Sequence, residues 1–216
     1  MRGVKADAGI LPPMIVYLHG LNSAGSSHKA QVLRERLAPI EVVSPSYPAQ
    51  SAVQAVESLN EQLLPLLKAL GKDEPRLLVG SSMGGFYGAW LARRLGFDHF
   101  VMINPALRPW ELLQQVEGWQ YNLARDERYY LSAEMVAATE AFATEPSDIG
   151  LAVTLLHDKG DELIDYRQAV AAYEGIADIR LFEDGSHAFD HMDEAVEIIG
   201  GIHRALGEEK SANERK

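Results

Sequence analysis

Arg76 to Ala92 reads RLLVGSSMGGFYGAWLA, and this stretch decides how the rest of the chain is read. It opens as a short apolar run, breaks at a cluster of glycines and serines, and resumes with helix-forming residues. A buried strand delivered into a helix through a glycine-rich turn is the building unit of a parallel sheet.

The same alternation extends in both directions. Apolar runs at Ile15 to Leu18, Ile40 to Val43, Leu77 to Val79, Phe100 to Ile103, Ala152 to Leu156 and Ile179 to Phe182 predict buried strands. Helices are predicted over Ser27 to Leu37, Val53 to Leu70, Met83 to Leu95, Tyr166 to Tyr173 and Glu194 to Leu206. Strands that are apolar on both faces belong to a mostly parallel sheet covered on both sides. The expected fold is therefore α/β, with about six strands and helices on both faces.

One connection breaks the rhythm. Residues 106–149 separate two strands by more than a plain crossover needs. They contain PWELLQQVEGWQYNL and SAEMVAATEAFATE, both read as helical, so a helical insertion over one edge of the sheet is expected, acting as a lid or pocket wall. Trp110, Trp119, Tyr121 and Phe142 in it are candidates to line an apolar site, against the blander alternative of core packing. The two ends of the chain, the first dozen residues and GEEKSANERK, are polar and uncapped and read as frayed.

Gly80-Ser81-Ser82-Met83-Gly84 matches G-x-S-x-G with Ser82 at its centre. Alone, such a triple arises by chance in roughly one chain of this length in fifteen. Its setting between a strand and a helix is what the chemistry requires, because the turn exposes a nucleophile in a strained backbone conformation. Side chains two residues before and after would collide, and Gly80 and Gly84 stand there. Centring on Ser81 would need glycine where Val79 and Met83 are, so Ser82 is the candidate nucleophile and Ser81 bonds locally.

A serine hydroxyl needs a base, and the base an orienting acid. His187 follows the last strand in Glu183-Asp184-Gly185-Ser186-His187 and is the candidate base. The acid belongs to the loop after Ala152 to Leu156. Asp161, preceded by Gly160, is favoured there, with Asp158 next, while Asp165 reads as the cap of the helix starting at Tyr166. His99 lies at the wrong end of a strand, His191 and His203 fall in the last helical region, and His157 is at most a supporting group. A metal pair of His187 and His191 lacks a third ligand. The backbone N–H of Met83, after the nucleophile, and that of Leu21, in the loop after the first strand, are the expected oxyanion donors. His19 is read as ordering that loop.

The 216 residues suit a single domain, spanning 1–216, with a hydrophobic fraction of 47% and a charged fraction of 24%. A formal net charge of −11 argues against sequence-independent binding to nucleic acid and against docking on anionic membranes. There are no cysteines, so no disulfide, thiolate metal site or thiol nucleophile is available, which suits a reducing compartment. The N-terminus lacks the pattern of a signal peptide and no run is long enough to cross a membrane, so a cytoplasmic location is expected. Nothing in the sequence indicates an oligomeric state.

The blocks YLHGLNSAGSSHKAQ, LLVGSSMGGFYGAWLA, INPALRPW, GDELIDYRQAV and GSHAF, in this order, resemble the α/β-hydrolase superfamily and, within it, the small YqiA-like bacterial esterases. The resemblance runs from about Ile15 to His203. It implies an α/β-hydrolase fold, Ser82, Asp161 and His187 as a catalytic triad, activity on short- to medium-chain acyl esters or thioesters, and no metal or organic cofactor. In the wider superfamily the acid loop often carries glycine where this chain has Asp158. A peptidase or lipase of the same fold would use the same residues, and a non-catalytic binding protein is the alternative from another class.

Overall fold

The computed structural model describes residues 14–71 and 73–213. The first dozen residues, read as frayed, lie outside the described part. Six strands form one parallel sheet: β1 (Met14–Leu18), β2 (Glu41–Val43), β3 (Arg76–Ser81), β4 (His99–Ile103), β7 (Ala152–Asp158) and β8 (Asp178–Phe182), in the spatial order β2-β1-β3-β4-β7-β8. All six fall where apolar runs were read. β1 and β3 are buried along nearly their whole length, because helices cover both sides and leave no wet face to encode.

One face of the sheet takes α1 (His28–Arg36) and α7 (Met192–Asn213), with Leu33, Ala195 and Ile199 against Ile15, Leu77, Val79 and Val101. The other face takes α2 (Ala52–Ala69), α3 (Met83–Leu91) and α6 (Tyr166–Tyr173), with Leu59, Leu63 and Tyr87 over Val16, Leu78 and Met102. Each such buried leucine contributes about 2 kcal/mol relative to exposure. Helix α3 sits tightly on the sheet: a Cβ at Gly88 would come within 2.4 Å of the Phe100 ring.

Two expectations fail. The tail GEEKSANERK does not begin a frayed end, since α7 continues through it to Asn213. Lys210 holds it down, donating to the Glu74 carbonyl at 2.9 Å and pairing with Asp98 at 2.8 Å. The insertion over 106–149 is also not purely helical. It begins with α4 (Pro109–Leu113) and a 3₁₀ turn at Gln114–Val116, then forms an antiparallel hairpin of β5 (Gly118–Asn122) and β6 (Glu127–Leu131), followed by α5 (Ala133–Thr139).

The helix cannot pass Gly118, whose φ is +115°, and the turn uses Asp126 at φ +51°. Beyond the glycine, alternation decides: Trp119 and Tyr121 share one strand face and are exposed, whereas Asn122 is buried. Among the described residues, no helix is long and apolar enough to cross a membrane.

Candidate active site

The parallel registers set Ser81 beside Ile103, Ile103 beside Leu156, and Asp158 beside Phe182. The carboxyl ends of four adjacent strands thus open on one edge, where ligands collect in α/β sheets. Ser82 sits just past β3 at φ +55° and ψ −119°, a backbone state that non-glycine residues avoid. Its amide donates to Ile103 O at 3.1 Å, and its carbonyl accepts from Gly85, Phe86 and Ala106. The turn is thereby held in its strained form. A Cβ at Gly80 would lie 2.3 Å from Gly84 O, and one at Gly84 would lie 2.0 Å from Leu18 O. Both glycines are sterically required, as the motif spacing predicts. Ser81 turns to the buried Tyr17 hydroxyl instead.

The structure brings the three sequence-predicted side chains together. His187 Nε2 is 3.1 Å from Ser82 Oγ. His187 Nδ1 is 2.9 Å from Asp161 Oδ2 and 3.1 Å from Oδ1. With a carboxylate at Nδ1, the ring carries its proton there and leaves Nε2 free to accept from the serine. Asp161 Oδ1 also accepts from the Leu163 and Ile164 amides, each at 2.9 Å. Burial alone would raise the Asp161 pKa. The side chains of His157 and His187 and the Ile164 amide outweigh it and hold the carboxyl well below its ordinary range. His157, wholly buried, has Nε2 3.6 Å from Asp161 Oδ2 and 3.2 Å from Ile164 O, a supporting position.

Asp158, the second candidate acid, does other work. Its buried carboxylate accepts from the amides of Asp190 at 2.7 Å and Ser186 at 3.3 Å and from His191 Nδ1 at 2.8 Å. It gathers the loop around His187 from beneath. A Cβ on Gly185, at φ +78°, would strike Asp158 Oδ2 at 2.1 Å. His191 is engaged in this clamp.

Sequence reasoning missed Asn104. It is fully buried at φ +41°, takes the Asp158 amide on Oδ1 at 2.9 Å, and donates from Nδ2 to Ser186 O at 2.9 Å. The available signal was an asparagine ending the apolar run FVMIN.

The loop after β1 lies against the serine. A Cβ on Gly20 would be 3.5 Å from Ser82 Oγ. The Leu21 and Met83 amides, the two expected oxyanion donors, have no acceptor among the described residues. Both residues border the cavity at Ser82. His19 orders this loop: Nδ1 donates to Gly20 O at 2.8 Å, Nε2 takes the Tyr47 amide at 3.4 Å, and the ring stacks on Tyr47. The Tyr47 hydroxyl donates to His19 O.

Burial pushes His19 down to about 4, so the folded protein keeps it neutral where the unfolded chain protonates it. Stability from this residue is intact above about pH 6.5 and is lost as pH falls towards 4, by about 3 kcal/mol in full. His99 and His203, also lowered by burial, act in the same direction. Urea unfolding at pH 7 and pH 4.5 is expected to show a smaller acid loss in His19→Gln than in the wild type. Equal losses would remove His19 from the account.

The cavity over Ser82 measures about 770 Å³ and is walled by Leu21, Met83, Pro109, Leu112, Leu113, Val116 and Ile164, among others. None of the four aromatics suggested for this wall reaches it. Trp110 packs on Phe86 and Phe142 on Trp90, while Trp119 and Tyr121 face outward on the hairpin. The insertion does form part of the wall, but through its first helix and the turn after it. Among the described residues, no group of three or more His, Cys, Asp or Glu is placed to hold a metal ion.

Comparison with known proteins agrees with this architecture. The family described as "Uncharacterised protein family (UPF0227)" matches residues 14–202. The UPF0227 protein YcfP of Salmonella typhimurium (strain LT2) is 27% identical over 182 residues, covering 83% of this chain and 92% of that protein. Among solved structures, Est1E from Butyrivibrio proteoclasticus superposes with a TM-score of 0.73 at 14% identity, over 93% of this chain and 90% of that one. A monoacylglycerol lipase of Paleococcus ferrophilus gives a TM-score of 0.66 at 18% identity, over 91% and 96%. The fold is that of the α/β-hydrolases, and the chain belongs to the UPF0227 family, alongside the YcfP proteins it is similar to.

Proposed function

We propose that the protein is a serine esterase acting on short- to medium-chain acyl esters, thioesters included. The observation that carries this reading is the continuous relay from Ser82 Oγ through His187 to Asp161, at the floor of a largely apolar cavity. In the proposed cycle Ser82 attacks the acyl carbonyl while His187 Nε2 takes its proton. The proton then passes to the leaving alcohol or thiol, and water, activated by the same ring, cleaves the acyl-enzyme. Asp161 keeps the proton on Nδ1 and stabilises the imidazolium. The Leu21 and Met83 amides donate to the oxyanion as it forms.

No cofactor enters this cycle, and the cytoplasm is its proposed setting. That solved esterases and lipases share the fold is consistent with the reading. A fluorophosphonate probe is expected to label the purified protein at Ser82, located by peptide mass analysis. Absence of an adduct on that serine would favour a non-catalytic binding role. Given labelling, a panel of esters, thioesters and peptides identifies the acyl group and separates an esterase from a peptidase or lipase.

A further inference from the structure

Lys29, in the first turn of α1, is the only lysine or arginine among the described residues that line the cavity over Ser82. It is half-buried. Among the described residues, its ammonium makes no hydrogen bond and has no carboxylate within 4 Å.

The acidic groups whose fields reach it are Asp158, Asp190 and Asp161. Each is engaged elsewhere. Asp158 holds two amides and His191. Asp161 holds two amides and His187. Asp190, exposed at the cavity rim, accepts from the Ser186 hydroxyl. Burial lowers the Lys29 pKa more than these three fields raise it, so the cation is short of compensating charge where it stands.

The cavity it lines is walled mostly by hydrocarbon, Leu21, Leu112, Phe189 and Met192 included. A charge beside such a wall binds an incoming opposite charge more strongly than a surface lysine does. The chain as a whole carries −11 and repels anions at a distance. An anionic ligand therefore needs a local cation, and the cavity supplies one.

We infer that Lys29 receives a negatively charged group of the substrate, so that the site prefers esters carrying a carboxylate or phosphate in addition to the scissile ester. This inference rests on the esterase reading of the same cavity. Two matched substrate pairs test it. p-Nitrophenyl hydrogen glutarate against its methyl-capped counterpart places a carboxylate on the acyl side. 1-Butyrylglycerol 3-phosphate against 1-butyrylglycerol places a phosphate on the alcohol side.

In at least one pair the ratio of kcat/KM, anionic over neutral, is expected to fall ten- to hundredfold in Lys29→Met, the range of a charge-assisted hydrogen bond. Lys29→Arg retains most of the ratio and Lys29→Glu lowers it further. A ratio unmoved by Lys29→Met in both pairs overturns the inference. If the wild type cleaves none of the four esters, the esterase reading fails. The anion site is then judged by calorimetry with monomethyl glutarate: binding at least tenfold weaker in Lys29→Met upholds it, and equal or no binding overturns it.

Discussion

Ser82→Ala is expected to lower kcat on a chromogenic ester by about 10⁶, the scale reached when a serine nucleophile is removed from a complete triad. That factor corresponds to about 8 kcal/mol of barrier. In the proposed cycle it is large because His187 and Asp161 have nothing to activate once Oγ is gone, so their contributions vanish with it. What survives is the binding of substrate in the cavity and any stabilisation from the Leu21 and Met83 amides. Loss of folding is not an alternative explanation if stability is measured alongside. Ser82→Gly is the sharper control, since glycine tolerates φ +55° and its turn should be at least as stable as the wild type's. Wild-type rates in Ser82→Ala would end the mechanism.

The second large effect separates two aspartates only three residues apart. Asp161→Asn is expected to lower kcat by about 10⁴ with folding largely retained. The amide oxygen can still take the Leu163 and Ile164 N–H groups, which turns the new NH₂ towards His187 Nδ1. The ring must then carry its proton on Nε2, where it cannot accept from Ser82. Asp158→Asn meets two amides and His191 instead, so its cost should fall on stability, about 1–3 kcal/mol, with a much smaller loss of kcat. Kinetics and urea unfolding on both variants decide the assignment. The larger kcat loss in Asp158→Asn would reverse it.

The parts legible in the sequence are those written in local terms. Strands buried on both faces are apolar at every position, which is why β1 and β3 stand out. The turn at Ser82 is legible because its glycines answer to contacts with their own neighbours: Gly80 meets Gly84, and Gly84 meets the adjacent strand. His187 and Asp161 are legible because chain order and strand ends restrict the choice.

The clamp of Asn104, Asp158 and His191 was not legible. Its members lie 54 and 33 residues apart, and no local pattern relates them. The hairpin was misread because WELLQQV is helical in character up to Gly118, and the aromatics after it suit either periodicity. Only the glycine's positive φ and the outward facing of Trp119 and Tyr121 settle that choice. The same helical reading offered those aromatics either the cavity wall or the core, and the hairpin gives them neither.

The hairpin has one more property. Asn122 Nδ2 donates to Ser23 O at 3.0 Å, and the Tyr129 hydroxyl donates to Asn22 Oδ1 at 2.7 Å. Asn22 and Ser23 directly follow Leu21. The two bonds fasten the hairpin to the loop that carries the Leu21 amide. Two neutral hydrogen bonds of this kind contribute about 2 kcal/mol to holding the loop and the hairpin together. Trp119 and Tyr130 at the open end of the hairpin and Leu123 in its turn leave exposed apolar surface on the element that these two bonds fasten to the Leu21 loop.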